Sequence, residues 1–493
     1  MEAHLNANLK AAGGAMAEDV FLPLWLIIIG SAFAVWAVWD HIIMPAWRWF
    51  FKRRTKVVIK KINEQLDLRI PAFKLTKRQV LVDRLKYDPE VRKAVEEYSR
   101  EQSVPNEIAL KKVERYAKEI VPAFNAYIYF RIGNWISKAV ARLLYRVRIG
   151  FADEEGLAKI DPHSSVVFIM NHRSNMDYIL LGYLALNRVA LSFAVGEWAR
   201  IWPVQQMVRA MGAFFVRRGS RNPLYRGVLA RYVQMATEGG VVQAVYPEGR
   251  LSRNGRLNEP RIGLLDYMLR GFDPDGGRDL VFIPVGINYD RVLEDRSLLL
   301  NTTPESKKKR LFVMKTTLAF VLNNLWLMGR GHWYRFGYAV ANFGTPISTR
   351  KYLKTHEVDF RNLDKEARIE KIQRLANDLM QKVSAVIPVV PVSLIAHVFT
   401  EDPDKNFSDL EIKARVQSLL DKLEKQGAHV YIPRSDRDYT INVGLRMLIL
   451  RHLVVEENNL CRAAPGEMKL LSYYANSIIH LLQSGEADQK AES

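Results

Sequence analysis

The spacing of apolar positions changes several times along the chain, and each change marks a different kind of element. Val20–Trp39 (VFLPLWLIIIGSAFAVWAVW) is a run of twenty residues without a formal charge, bounded by Asp19 and Asp40. At about 1.5 Å per residue such a run spans a hydrocarbon core of roughly 30 Å, so a transmembrane helix is expected over 20–39. From 52 to 148 apolar residues recur at helical spacing among many polar ones, with few β-branched runs, which predicts a helical region. From about Val166 the texture shifts again. Short apolar runs (Val166–Met170, Leu191–Val195, Ala213–Val216, Val241–Tyr246, Val281–Ile287 and Gly337–Phe343) alternate with longer helical segments. Strands alternating with helices predict an α/β domain built on a central sheet over about 150–350. After Thr345-Pro346 the pattern turns helical, with EARIEKIQRLANDLMQKVSAVIP and SDLEIKARVQSLLDKLEKQG as strongly amphipathic stretches.

The expected organisation is therefore a tail over 1–19, an anchor over 20–39 and a basic juxtamembrane and helical region over 40–149. The α/β domain over 150–350, a helical C-terminal domain over 351–485 and a solvated tail over 486–493 complete it. Leu311–Met328 is apolar but broken by Lys315, Asn323 and Asn324. It reads as a core helix, with a helix lying on a membrane surface as the alternative.

Composition sharpens this picture through charge. The 493 residues carry 72 Lys+Arg against 53 Asp+Glu, a net charge of +19. Such an excess calls for a polyanionic partner: nucleic acid, an anionic bilayer or a phosphorylated substrate. Part of it sits just after the apolar run, in Arg48, Lys52, Arg53, Arg54, Lys56, Lys60 and Lys61, with no acid among them. Trp36, Trp39, Trp47, Trp49, Phe50 and Phe51 stand where an interfacial aromatic belt is expected. The segment before the run offers only Lys10, so the positive-inside rule places the bulk of the chain in the cytoplasm. A helix lying in the interface is the main rival to the anchor, and a signal peptide fits less well, because the charged leader is weak and no small-residue cleavage site follows. The single cysteine, Cys461, excludes an internal disulfide and any CxxC zinc site. Nucleic acid is disfavoured, since no RNP motif, zinc finger or Walker loop is present. A serine hydrolase is disfavoured by the lack of a Gly-x-Ser-x-Gly elbow.

Reactive residues gather at strand ends. Val166–Met170 runs into Asn171-His172-Arg173-Ser174-Asn175-Met176-Asp177 and then the helical stretch Tyr178–Leu186. A carboxylate five residues after the histidine, in a first helical turn, can accept from the imidazole Nδ1–H and leave Nε2 free to take a proton from an alcohol. Read alone, a histidine near an aspartate is more often structural. Gly212-Ala213-Phe214-Phe215-Val216-Arg217-Arg218 ends another strand inside an acid-free stretch with arginines at 209, 217, 218, 221, 226 and 231. Guanidinium forks suit phosphate, so these arginines are expected at a pocket rim. A third block, Tyr246-Pro247-Glu248-Gly249-Arg250-Leu251-Ser252-Arg253, offers backbone N–H groups, a hydroxyl and guanidinium groups to an oxyanion. A fourth, Ile283-Pro284-Val285, is a buried strand expected to form an apolar wall.

In this order and spacing the four blocks resemble the glycerolipid acyltransferase family, whose hallmark His-x4-Asp motif is matched by His172 and Asp177. The resemblance covers roughly residues 150–345. It implies an acyltransferase-type central mixed sheet with flanking helices. Val386–Val392 and the Tyr473-Tyr474-Ala475-Asn476 signature are similar to the bacterial glycerol-3-phosphate branch. That branch reads Glu-Gly-Gly-Arg-Ser-Arg where this chain has Glu-Gly-Arg-Leu-Ser-Arg, so Arg250 and Arg253 are both candidates for gripping phosphate.

The resemblance implies acyl transfer from acyl-CoA or acyl carrier protein to the sn-1 hydroxyl of glycerol 3-phosphate, without a cofactor or metal. His172 would be the general base and Asp177 its orienting partner. Arg217, Arg218, Glu248, Gly249, Arg250, Ser252 and Arg253 would bind substrate, and Phe214, Phe215, Ile283, Pro284 and Val285 would wall the donor pocket. The alternatives are the same chemistry on lysophosphatidate or dihydroxyacetone phosphate, and a membrane-anchored basic binding module. An anionic phospholipid membrane, the bacterial inner membrane, is the expected location.

Overall fold

The six apolar runs coincide with six strands, which join two further strands in one mixed sheet. The computed structural model describes residue 38 and residues 70–483, apart from 186–188, 197–198, 201, 203, 218 and 301–335. The expected transmembrane helix over 20–39 (Val38 apart), the basic cluster at 48–61, the stretch 311–328 and both tails lie outside the described residues. Among the described residues no helix is long and apolar enough to cross a membrane.

The sheet contains β1 (Arg146–Ala152), β2 (Ser165–Met170), β3 (Ser192–Val195), β4 (Phe214–Phe215), β5 (Gln243–Val245), β6 (Leu280–Tyr289), β7 (Tyr338–Phe343) and β8 (Ile347–Ser348). Its order is β1-β7-β6-β2-β5-β3-β4, with β8 beside β6. The strands from β6 to β4 along this order run parallel, while β7 and β8 pair antiparallel with β6. β2 and β6 are buried at every position. Strands covered on both faces need continuous apolar sequence, which is why these two were the most legible.

Alternation along β2 divides the core into two layers. Val166, Phe168 and Met170 point into one cluster, and Val167 and Ile169 into the other. The first layer is closed by Asn134–Leu144, Met176–Ala185, Pro391–Glu401, Asp409–Lys425 and Met468–Ala475. The second is closed by helices before the sheet (Arg78–Tyr87, Pro89–Gln102, Asn106–Ile120) together with Pro223–Glu238 and Lys365–Ala385. The described residues from 70 onward all fall within a single compact unit, Lys61–Ser493. The C-terminal region also holds a small antiparallel sheet of β9 (Phe407–Ser408), β10 (Val454–Glu457) and β11 (Leu460–Ala463), which the helical pattern did not announce.

Two residues of β6 explain how the C-terminal region reaches the sheet. Pro284 sits where β6 changes antiparallel partner, from β8 at Val281–Phe282 to β7 from Val285 onward. Its carbonyl accepts from Gly344 N at 2.8 Å, and no ladder bond requires its missing N–H there. At Gly286 a Cβ would lie 2.3 Å from Val386 O and 2.6 Å from Ile387 Cα. The Val386–Val392 segment therefore lies directly on the strand backbone, held by Asn288 Nδ2 to Pro388 O at 3.0 Å and Asn342 Nδ2 to Val386 O at 3.0 Å.

Asp290, just after β6, completes the joint. Its carboxyl accepts from Tyr338 N at 2.7 Å and Val392 N at 3.0 Å and is fully buried. Burial pushes its pKa up from 3.8 to about 7, against the opposing pull of the two amide bonds. The folded state thus holds this proton more tightly than the unfolded chain. The associated stability is present in full below about pH 4 and is lost as pH rises through about 7. At about 1.4 kcal/mol per pH unit the loss across that window is on the order of 4 kcal/mol. Urea unfolding at pH 5 and pH 8 is expected to show a smaller loss in Asp290→Asn than in the wild type. An identical pH dependence would count against the assignment.

Candidate active site

β2 delivers its C-terminal end into a tight loop, and the loop is clamped before any reactive residue appears. Asn171 Nδ2 donates to Ile287 O and Asn171 Oδ1 accepts from Ile287 N, both at 2.8 Å. This side chain imitates a backbone ladder and fixes the exit of the strand. His172 follows, and Asp177 lies in the first turn of the helix Met176–Ala185.

His172 Nδ1 and Asp177 Oδ2 are 2.8 Å apart, and the two residues are 2 % and 0 % exposed. Asp177 Oδ2 also accepts from Arg173 N at 2.8 Å and Ser174 N at 3.1 Å, while Oδ1 accepts from Tyr289 OH at 2.7 Å. Three donors besides the imidazole converge on this buried carboxyl, which acts as their common acceptor. Tyr289 stays a donor, because burial and the nearby Asp177 charge push its pKa well above 10. The Nδ1–H of His172 is consequently directed at Asp177 and Nε2 is left as the acceptor nitrogen. Among the described residues Nε2 makes no hydrogen bond. The imidazole stacks on Tyr246 with ring centres 4.1 Å apart and meets the edge of Tyr178 at 5.6 Å.

The third sequence block locks onto this loop through the backbone of His172. Glu248 Oε1 accepts from His172 N at 2.8 Å, and Ser252 N donates to His172 O at 3.0 Å. Glu248 Oε2 accepts from Asn258 N at 2.9 Å and Nδ2 at 2.6 Å. Burial pushes the Glu248 carboxyl up, and the bonds from His172 and Asn258 pull the other way. Gly249 turns the chain after Glu248, its N–H donating to Tyr246 O at 2.9 Å. Ser252 Oγ donates to Arg256 O at 2.6 Å, so this hydroxyl is engaged within its own loop.

The other expected residues are distributed differently. Arg217 makes a bidentate pair with Glu119, Nε to Oε1 at 2.8 Å and Nη2 to Oε2 at 2.5 Å, and stacks beside Tyr116 and Tyr225. Glu119 also pairs with Arg200. Arg218 lies outside the described residues, and Arg250 and Arg253 stand near the surface on the third loop. Phe214 and Phe215 are buried in opposite core layers, and Ile283 and Val285 belong to the layer that contains Phe215.

Sequence reasoning missed the residues that hold the loop from below. Glu294 accepts from Ser174 Oγ at 2.7 Å, Asn175 Nδ2 at 3.0 Å and Asn175 N at 3.3 Å. Burial pushes its carboxyl up. The next residue, Asp295, pairs with Arg451 and accepts from Tyr474 OH, which in turn accepts from Val292 N at 3.1 Å. Tyr473 lies under Arg173, ring centre 4.9 Å from the guanidinium carbon, and Asn476 Nδ2 donates to Asn254 O at 2.9 Å. The Tyr473-Tyr474-Ala475-Asn476 signature thus braces both loops from the far end of the chain. Gly255 makes the fit possible: with φ +84° it brings its Cα so close that a Cβ would lie 1.9 Å from Tyr473 O.

Among the described residues the Glu294 carboxyl bonds only Ser174 and Asn175, in the loop between His172 and Asp177, which suits a positioning role. Glu294→Leu is expected to lower kcat by about tenfold to a hundredfold with a small change in KM, the usual cost of a displaced catalytic group. Glu294→Gln, which keeps one acceptor oxygen, should recover most of the rate. Equal effects of the two substitutions on kcat and KM would contradict a positioning role.

The acyltransferase family model matches residues 152–288, and the model of the glycerol-3-phosphate acyltransferase C-terminal region matches 325–484. The first match contains both loops and the second contains the bracing signature. Similar relatives named glycerol-3-phosphate acyltransferase come from Alteromonas mediterranea (27% identical), Pseudoalteromonas atlantica (28%) and Xanthomonas campestris pv. campestris (28%). Each alignment covers 83% of this chain and 50%, 50% and 46% of the relative, respectively. The chain spans about half the length of the curated relatives it matches. Among solved structures, the 1-acyl-sn-glycerophosphate (LPA) acyltransferase of Thermotoga maritima is 16% identical. That alignment covers 52% of this chain and 79% of the other, with a TM-score of 0.28.

Proposed function

From a chain that carries an acyltransferase domain joined to a glycerol-3-phosphate acyltransferase C-terminal region, we propose an enzyme that acylates glycerol 3-phosphate. The observation that carries this reading is the buried His172–Asp177 pair with Nε2 left as an acceptor. The acyl donor is a thioester, acyl-CoA or acyl carrier protein. His172 Nε2 takes the proton of the sn-1 hydroxyl as its oxygen attacks the thioester carbonyl carbon. The C–S bond then breaks, the proton passes from the imidazolium to the departing thiolate, and lysophosphatidate is left. Asp177 orients the ring and stabilises the imidazolium. No separate nucleophile is needed, since the substrate hydroxyl attacks directly. Arg250 and Arg253, on the surface of the third loop, attract the phosphorylated substrates.

The apolar run Val20–Trp39 and the basic cluster after it support a single membrane anchor, with the catalytic unit on the cytoplasmic side against anionic lipid. The decisive experiment uses the full chain in detergent with acyl-CoA and acyl carrier protein donors against three acceptors. Glycerol 3-phosphate is expected to react fastest. Transfer to lysophosphatidate or dihydroxyacetone phosphate without transfer to glycerol 3-phosphate would overturn the acceptor assignment. Alkaline extraction of membranes tests the anchor, whose deletion should release the protein.

A further inference from the structure

Arg173 stands between the two dyad residues in sequence, yet its side chain turns away from them into the protein. It is 3 % exposed. Nη1 donates to Gly255 O, and the guanidinium lies over the Tyr473 ring. Its Nε and Nη2 are buried and have no hydrogen-bond partner among the described residues. No carboxylate there forms an ion pair with it. Glu248 lines the same cleft, but both of its oxygens are already bonded to His172 and Asn258. A buried guanidinium with two unbonded nitrogens and no counter-charge is costly unless an anion completes it.

The cleft that receives these donors is formed by Asn171, Glu248, Ser252, Gly255 and Ser477, directly behind the backbone of His172. It is closed too tightly to admit a water molecule. The outer wall is the third-loop turn, where Arg253, Asn254 and Arg256 are exposed. An anion that takes up Nε and Nη2 must first displace this turn, while Nη1 keeps its bond to Gly255 O. The arginine expected for that role from the sequence, Arg217, is already committed to Glu119.

We propose that Arg173 is the buried anion-binding residue of the acceptor site and takes the acceptor's phosphate monoester on Nε and Nη2. This rests on the reading of the chain as an acyltransferase for a phosphorylated acceptor. A planar fork suits two phosphate oxygens at once, whereas a lysine ammonium offers a single point charge. The shared ligand chemistry is a phosphate dianion, whose source is either the acceptor or free phosphate.

The test uses the full chain in detergent, with Arg173→Lys and Arg173→Gln. The KM for glycerol 3-phosphate and the Ki of inorganic phosphate as its competitor are expected to rise together, by about 10- to 100-fold for Gln and less for Lys. The KM for the thioester donor should stay within about threefold. An acceptor KM unchanged in both variants would overturn the proposal, and a raised phosphate Ki with an unchanged acceptor KM would assign the site to free phosphate instead. If the variants fail to fold, hydrogen exchange of the wild type decides the matter. Inorganic phosphate should alter exchange of amides 252–256, and unchanged exchange there overturns the site. Absence of any acyl transfer by the wild type would remove the functional reading, while phosphate binding and its loss in Arg173→Gln would still establish the anion site.

Discussion

His172→Ala is expected to lower acyl transfer to glycerol 3-phosphate by about 10²- to 10⁴-fold, the range that general-base assistance supplies. The substitution isolates the ring, because the contacts that position residue 172 run through its backbone. The amide N–H still reaches Glu248 and the carbonyl still accepts from Ser252 N. Asp177 keeps three of its donors, from Arg173 N, Ser174 N and Tyr289 OH. The loss should therefore appear in kcat, with little change in the KM of either substrate. Asp177→Asn tests the same pair from the other side. An amide nitrogen in place of Oδ2 would face two backbone N–H groups and the imidazole N–H, so the ring would lose its orientation. Transfer by His172→Ala within about threefold of wild type would sink the proposed mechanism.

Glu248→Ala is expected to cost both stability and activity. Its carboxylate is the acceptor for His172 N, Asn258 N and Asn258 Nδ2, in a region whose gaps admit no water. Removing it leaves the buried His172 N without a partner, at about 1–3 kcal/mol before relaxation, and two half-buried Asn258 donors at less. The loops would separate to reach solvent, carrying the His172 backbone with them. A displacement of about 1 Å is enough to reduce catalysis by about 10²-fold. Glu248→Gln keeps one acceptor oxygen but turns an amide N–H₂ toward a donor, so an intermediate loss is expected. Urea unfolding and kcat/KM measured on the same preparations check this. Wild-type stability in the alanine variant would show that the loops do not depend on this carboxylate.

The fold was legible wherever burial on two faces forces continuous apolar sequence. The runs at 166–170, 191–195, 281–287 and 337–343 coincide with β2, β3, β6 and β7 to within a few residues. β1 was not recognised, because an edge strand beside β7 alone leaves most of its residues exposed and its sequence, RVRIGFA, carries four polar or small positions. β9 to β11 are too short to show a period against helical surroundings. The dyad was legible because His172 and Asp177 are five residues apart, close enough for a strand-to-helix turn to dictate their meeting.

Long-range pairings were not legible. Arg217 reads as a phosphate ligand from its acid-free neighbourhood, yet its partner Glu119 lies 98 positions upstream. Tyr289 reaches Asp177 across 112 positions and Asn258 is drawn to Glu248 through a turn that returns on itself. Glu294 meets Ser174 across 120 positions, Tyr474 meets Asp295 across 179, and the buried setting of Arg173 depends on Tyr473 from the far end of the chain. Apolar periodicity and short spacings are local properties of the chain, so they specify strands, helices and the His172–Asp177 contact. Which charges are neutralised, which carboxylates act as braces and which guanidinium is left with open donors depend on distances between remote segments. Those distances exist only once the sheet has brought β2, β5 and β6 side by side and the C-terminal region has closed over them.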